Sequence, residues 1–323
     1  MPLKRGGACS AMSESLELTA DSAGIKSSIP PFTTGAVWRW RCVENRSPTS
    51  PSATKVSTSP IADTISERWI TMWNALKARL FQGYRTGKFP AAPPVLPDRF
   101  AGRPEIIQDK CEKNCKACME VCPLGAISRN AEENLLIDTG KCIFCSKCEA
   151  VCPSGAVKLG KEYRLAVMQK SELLSDGTNY TPPAATDKGL LKLCGRSLKI
   201  RQVSAGGCAA CELDFNVLNT LAWDMGRFGI QVVASPRHAD CILVTGPVSK
   251  NMLLALKKTY DAAPRPVWVI ACGTCAVSGG IYADSAECCG GVDKILDVDL
   301  YVPGCPPHPA TLLEGILRLM GRI

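Results

Sequence analysis

The chain has 323 residues, 46% apolar and 21% charged, with a formal net charge of +8 and 19 cysteines. This length and apolar content exclude a disordered chain and suit about two domains. So many cysteines in a long chain exclude a small secreted disulfide scaffold and point to metal ligation in a reducing compartment, so a cytoplasmic location is expected.

No run approaches the roughly 18 apolar residues that a membrane-spanning helix needs. The start shows neither a Sec-type nor a twin-arginine signal. The positive charge is not gathered into a basic patch on a nucleic-acid-binding motif, so no nucleic-acid partner is expected.

Residues 1–62 are dense in Ser, Thr, Pro and Gly and lack periodicity, which predicts a disordered tail. Residues 63–105 read as an amphipathic helix followed by a strap. Over 66–82, SERWITMWNALKARLFQ, the residues Trp69, Trp73, Leu76 and Leu80 share one helical face with Met72 beside them, and Ser66 is the expected N-cap. Two readings stand for that face: docking on a membrane surface or membrane-bound partner, or packing on the chain's own domains. The stretch KFPAAPPVLP is extended and proline-rich.

Residues 106–160 contain an internal repeat. Cys115-Lys-Ala-Cys118-Met-Glu-Val-Cys122-Pro returns as Cys145-Ser-Lys-Cys148-Glu-Ala-Val-Cys152-Pro, with Cys111 and Cys142 ahead of the two copies. The second copy is the C-x2-C-x2-C-x3-C-P run of bacterial two-cluster ferredoxins, whose fourth cysteine ligates the other cluster. Three thiolates in a tight loop wrap three corners of a cubane, and the fourth corner comes from across the pseudo-twofold. A small α+β ferredoxin-like domain with two 4Fe–4S clusters is therefore expected. Cluster 1 is assigned to Cys111, Cys115, Cys118 and Cys152, and cluster 2 to Cys142, Cys145, Cys148 and Cys122. The first copy departs from the run by one extra residue between Cys111 and Cys115, which leaves a three-iron cluster as the alternative there. Zinc prefers four ligands in a two-plus-two spacing and fits poorly. Lys110, Lys113, Lys116, Lys141 and Lys147 lie near the thiols, either offsetting cluster charge or as plain surface lysines.

Residues 161–189 read as a linker marked by Gly177, Pro182 and Pro183. Over 190–323, short apolar strands (198–203, 230–234, 241–245, 267–271, 299–302) alternate with helices (212–225, 249–261, 309–321), which predicts a doubly wound parallel sheet. Ligands of such sheets sit beyond the carboxyl ends of the strands. Cys208 and Cys211, then Cys275, then Cys305 follow three different strands, so one sheet edge gathers four thiols. Cys272 is a rival to Cys275. Glycines beside these cysteines allow a close backbone approach to a bulky group.

The segments GGCAACELD, PRHADCILVTGPVSKNM, GTCAVSGG and VPGCPPHP resemble the small subunit of nickel–iron hydrogenases and the related 20 kDa subunit of complex I, over about residues 198–323. The resemblance implies a flavodoxin-like fold. It also implies a third 4Fe–4S cluster, held by Cys208, Cys211, Cys275 and Cys305 beside a catalytic large subunit. Complex I subunits place the first two ligands adjacently, whereas Cys208 and Cys211 have the C-x2-C spacing of hydrogenases. With no export signal and little chain after Cys305, the expected branch is the membrane-bound, cytoplasm-facing hydrogenase of the formate-hydrogenlyase type, its two-cluster subunit fused to the small subunit. The expected partners are a nickel–iron-containing large subunit, membrane-anchored complex subunits and an electron donor or acceptor protein. The chain would sit peripherally on the inner face of the membrane through them. It would carry no catalytic residue and no complete active site of its own. The alternative is the iron–sulfur subunit of a complex-I-like NADH/quinone oxidoreductase; a soluble carrier without an obligate partner is a third reading.

Of the remaining cysteines, Cys9 and Cys42 fall in the tail. Cys194, Cys241 and Cys272 read as core residues, and Cys288 and Cys289 as a loop pair. His308 is weighed between a structural role and tuning or proton relay at the cluster loop. His238 reads as structural. Glu212 and Asp214 are weighed between capping and a proton path.

Overall fold

A computed structural model describes residues 61–83, 86–177 and 197–323. The tail expected over 1–62 lies outside these residues except for Ile61 and Ala62. Cys9, Cys42, Cys194, Pro182 and Pro183 also lie outside them.

Helix α1 spans Ile61–Gln82, so Ser66 sits inside it rather than at its cap. Gly83, at φ +61°, ends it in the left-handed conformation, and its N–H returns to the Arg79 carbonyl at 3.1 Å. Among the described residues Met72, Trp73, Leu76, Leu80 and Phe81 are all exposed. The strap beyond it is anchored. Phe89 is buried edge-on against Tyr163 and Trp223, and Arg227 donates to the carbonyls of Gly87 at 2.7 Å and Phe89 at 2.9 Å.

The repeat folds as two small antiparallel sheets with two five-residue helices. Strand β1 (Pro104–Ile106) precedes helix α2 (Ala117–Val121), and β2 (Ile127–Arg129) and β3 (Leu135–Asp138) follow it. Helix α3 (Lys147–Val151) then leads into β4 (Val157–Leu159). β1 pairs with β4 and β2 with β3. A third strand, β5 (Leu174–Ser175), pairs with β3. The stretch expected as linker from 161 is therefore folded through its first part. Thr139 Oγ1 donates to Leu173 O at 2.7 Å, and Gln108 Nε2 to Asp176 O at 2.8 Å. A strand of two residues has no periodicity to read. Val167 also exchanges backbone hydrogen bonds with Tyr301, at 2.8 and 2.9 Å. This joins the segment to the larger domain.

That domain is a parallel sheet of β6 (Leu198–Ser204), β7 (Ile230–Val232), β8 (Cys241–Thr245), β9 (Trp268–Cys272) and β10 (Leu300–Val302), in the spatial order β10-β9-β8-β6-β7. β8 and β9 are buried at every position, as strands covered on both faces must be. Helices α4 (Ala210–Val217) and α7 (Pro309–Leu319) cover one face through Phe215, Leu312 and Ile316. Helices α5 (Lys250–Asp261) and α6 (Thr274–Ser278) cover the other through Leu256, Ala276 and Val277. Each fully buried aliphatic or aromatic side chain contributes about 1.5–3 kcal/mol relative to exposure.

α4 stops at Val217 rather than 225. The Leu218 N–H tightens onto Phe215 O at 3.1 Å and the Thr220 hydroxyl takes the Val217 carbonyl at 2.7 Å. α7 is apolar almost all round because it is buried nearly all round, and its one buried carboxylate, Glu314, pairs with Arg318.

Candidate metal centres

The two copies of the repeat give two matching structures. In each, the third cysteine lies in a short helix (Cys118 in α2, Cys148 in α3) and the fourth caps its end in extended conformation (Cys122, Cys152) ahead of a proline. Two cavities result. One is lined by Cys111, Cys115, Cys118 and Cys152, the other by Cys122, Cys142, Cys145 and Cys148. Each thus draws three thiols from one copy and its fourth from the other, in the two sets expected from the spacing.

The thiols repel one another once charged. Burial pushes the Cys142 thiol up to about 12, with the charges of Cys148, Cys122 and Cys145 adding to it. Cys118 is raised by burial first and then by Cys111, Cys115 and Cys152. Four like charges around one cavity are stable only with a cationic group between them. Among the described residues no three His, Cys, Asp or Glu groups could hold a lone metal ion. Backbone amides already point at the sulfurs: Ala126 N to Cys122 Sγ at 3.3 Å, Phe144 N to Cys142 Sγ at 3.3 Å, and Ala156 N to Cys152 Sγ at 3.2 Å. The donor sets fit a 4Fe–4S cubane.

The irregular first copy has its own support, which spacing alone did not reveal. Arg129 Nη2 donates to the carbonyls of Glu112 at 2.9 Å and Cys115 at 3.0 Å and reaches Cys111 Sγ at 3.6 Å. One guanidinium thus holds the longer loop between Cys111 and Cys115. The equivalent position in the regular copy is Leu159, so the signal was an asymmetry between copies rather than a motif. Lys110, Lys113, Lys116, Lys141 and Lys147 are all exposed.

The third set assembles at the carboxyl edge of the parallel sheet. β6 leads through Ala205–Ala209 into α4, placing Cys208 in the loop and Cys211 in the first turn. β9 leads through Gly273 into α6 with Cys275, and β10 through Pro303 and Gly304 to Cys305. Burial pushes the Cys275 thiol up to about 11, reinforced by Cys305, Cys211 and Cys208. Cys211 is lowered, first by a hydrogen bond from Cys272. Gly273, at φ +88°, has no room for a side chain, since a Cβ there would stand 2.5 Å from Cys211 Sγ.

The second and third sets are neighbours. The Thr274 hydroxyl lies 2.9 Å from the carbonyl of Cys142 and 3.2 Å from that of Gly304, and Ser278 Oγ donates to Gly140 O at 2.9 Å. A cavity lined by Phe100, Ile143, Phe144, Asp214, Cys305 and His308 runs between them.

The other polar candidates are mostly committed to structure. His308 caps α7, its Nδ1 accepting from Ala310 N at 3.1 Å, and its ring stands edge-on to Phe100 and Trp223. Burial lowers its pKa. Glu212 accepts from Thr245 Oγ1 at 2.6 Å; burial pushes its carboxyl up, but this bond and one from Ser204 outweigh it and the net shift is down. Asp214 lines the cavity beside Cys305 and is raised by burial. His238 is exposed. Cys241 is buried in the core, and Cys289 N bonds to Val248 O at 2.9 Å while Cys288 bridges to Ser249.

Residues 208–319 match the family described as NADH ubiquinone oxidoreductase, 20 Kd subunit, and residues 110–157 match the 4Fe-4S dicluster domain. The chain is 47% identical to an NADH-quinone oxidoreductase subunit of Geotalea daltonii over 117 residues, which is 36% of this chain and 68% of that protein. It is 37% identical to the probable membrane-bound hydrogenase subunit mbhJ of Pyrococcus furiosus over 149 residues, 45% of this chain and 89% of that protein. It is 43% identical to formate hydrogenlyase subunit 7 of Escherichia coli over 138 residues, 43% of this chain and 54% of that protein.

Proposed function

Because this chain belongs to the family of the NADH ubiquinone oxidoreductase 20 Kd subunit and carries a 4Fe-4S dicluster domain ahead of that region, we propose that it is the electron-transferring small subunit of a multisubunit, cytoplasm-facing nickel–iron hydrogenase. At a coarser level it is an electron-transfer subunit of a hydrogenase-like or complex-I-like oxidoreductase complex. The carrying observation is that twelve thiols gather into three groups of four within one connected body, the second group hydrogen-bonded to the third through Thr274.

In this reading Cys111, Cys115, Cys118 and Cys152 hold the first cluster, and Cys142, Cys145, Cys148 and Cys122 the second. Cys208, Cys211, Cys275 and Cys305 hold the third. When bound, each cluster supplies a one-electron couple. The chain's own residues fix the thiols, turn amides toward the sulfurs and bury the loops between the second and third sets. The sheet order supports a flavodoxin-like arrangement, with the third site at the edge where the strand order reverses between β6 and β8. Cys208 and Cys305 are exposed, which leaves that site open to a catalytic large subunit. No described helix is long and apolar enough to cross a membrane, and attachment to the inner face of the membrane would come through anchored partner subunits.

The C-x2-C spacing of Cys208 and Cys211 favours the hydrogenase branch. The identity to the Geotalea daltonii NADH-quinone oxidoreductase protein favours a second reading, a complex-I-like quinone reductase. Anaerobic purification of the native complex with metal analysis separates them. Nickel in the co-purifying large subunit and hydrogen evolution from the complex are expected. A nickel-free complex that reduces a quinone overturns the hydrogenase reading.

A further inference from the structure

The module's two thiol sets are built alike, but the groups beside them differ in charge. Arg129 closes β2, and its counterpart in the second copy is Leu159. Leu159 lines the cavity of the second set, so an alkyl group stands there where a guanidinium stands beside the first.

Three backbone carbonyls fix that guanidinium. Nη2 donates to Glu112 O at 2.9 Å and to Cys115 O at 3.0 Å, and Nη1 donates to Glu133 O at 2.7 Å. The third carbonyl comes from the turn between β2 and β3. Asn130 Oδ1 organises that turn by accepting from Glu132 N at 3.0 Å and Asn134 N at 2.8 Å. Glu133 adopts the left-handed region there, at φ +65°, which few residues other than glycine do. So held, Nη2 comes within 3.6 Å of Cys111 Sγ.

The protein leaves this charge poorly matched. The Arg129 side chain is 12% exposed, and its Nε has no hydrogen-bond partner among the described residues. Its ion pair with Glu133 is 4.0 Å long, to a carboxylate that is 59% exposed. A guanidinium keeps its proton, and a charge so far removed from water is screened less than that of a surface lysine. Buried charges are ordinarily paired. The counter-charge missing here is the anionic group that the first thiol set holds when loaded. Net charge and hydrogen bonds at the sulfurs are levers that set an iron–sulfur potential. Reduction adds negative charge, so a fixed cation stabilises the reduced form more than the oxidised one.

We infer that Arg129 is a positioning residue that holds its charge at the Cys111 corner and raises the reduction potential of the cluster at the first site, an inference that rests on the ligand set proposed above.

The test is an EPR-monitored redox titration of the anaerobically purified native complex, comparing Arg129→Gln, Arg129→Leu and Arg129→Lys with the native chain. The first-site signal is the one that Cys152→Ala removes. Gln keeps donors without the charge, Leu copies the residue of the second copy, and Lys keeps the charge without the fork. Gln and Leu are expected to keep first-site iron and to lower the first midpoint. The equilibrium constant for reduction should fall about tenfold, which is about 59 mV for a one-electron couple. Lys should stay nearer to native than Gln, and the two other midpoints should not move. A native first midpoint in both Gln and Leu overturns the inference and leaves the ligand set standing. Loss of first-site iron in all three variants also overturns it, because Arg129 would then be a structural clamp only. A shift of the second midpoint with the first unmoved overturns the ligand set as well, because Cys111 would then belong to the other cluster.

Discussion

In the ferredoxin-like module four of the clustered thiols belong to or pack against the core, whereas in the α/β domain only Cys211 packs against a core while Cys208, Cys275 and Cys305 stand outside it. The module's buried cluster is Ile106, Cys118, Ile127, Leu135, Ile137 and Val157, with Cys111, Cys122 and Cys148 packed against it. The α/β domain fills two layers with Phe215, Trp268, Leu312 and their neighbours on one side and Val244, Leu256 and Val269 on the other. Two small sheets of two and three strands bury too little apolar surface to fold robustly alone. Sites with the same number of thiols are thus built by opposite routes: a repeated loop that needs its contents, and a finished sheet that offers an edge.

The largest expected effect separates the two directly. In chain prepared without iron, amides of residues 106–177 should lose hydrogen-exchange protection while β6, β8 and β9 keep theirs. Equal protection in both regions would remove the distinction. The converse test attacks the other region. Phe215→Ala, at a fully buried site, should cost about 3–5 kcal/mol. Thermal unfolding of the α/β domain should shift while the module's iron content is retained.

A single thiol tests the crossing between copies. Cys152→Ala should abolish the EPR signal of the cluster assigned to Cys111, Cys115 and Cys118 and spare the one beside its own loop; loss of the neighbouring signal instead would mean that each copy keeps its own cluster. Gly273→Ala should act at the third site only. Its backbone, at φ +88° and ψ 156°, is in a region costing other residues about 1–3 kcal/mol, and its new methyl would displace Cys211. Third-site iron should fall with the module unaffected.

The smallest effect is a pH dependence in the sheet. Asp299 is raised chiefly by burial, even though its carboxylate accepts from Val269 N at 2.8 Å. A carboxyl raised on folding makes the ionised form costly above its folded pKa and costs nothing below the unfolded value of about 3.9. Asp299→Asn should therefore stabilise slightly near neutral pH, and the gain should vanish as denaturation is measured in progressively more acid buffer.

The two regions also differed in how much their sequences disclosed. The module's thiol sets were legible because a cubane forces fixed short spacings, so Cys142, Cys145 and Cys148 announce themselves within one loop. The third set was legible only through topology, since Cys211 and Cys305 meet because β6 and β10 end on the same edge. Arg129 was not legible as a partner of Cys111, because it acts across the fold rather than along a motif. The two-residue β5 and the early stop of α4 were decided by hydrogen bonds from Thr139 and Thr220, which leave no mark on hydrophobic periodicity. Hydrophobic periodicity marks the apolar face of α1 but not what covers it; among the described residues Trp73 and Leu80 on that face are exposed.

The pair Thr274 and Ser278 has a kinetic consequence. A diffusing carrier must undock between turnovers, and its traffic then depends on concentration and salt. Here the segment from Gly140 to Cys142 is stitched to α6 by two hydroxyls, and one polypeptide carries both the second and the third thiol sets. In the proposed relay, passage between the second and third sites would be a first-order event, indifferent to dilution.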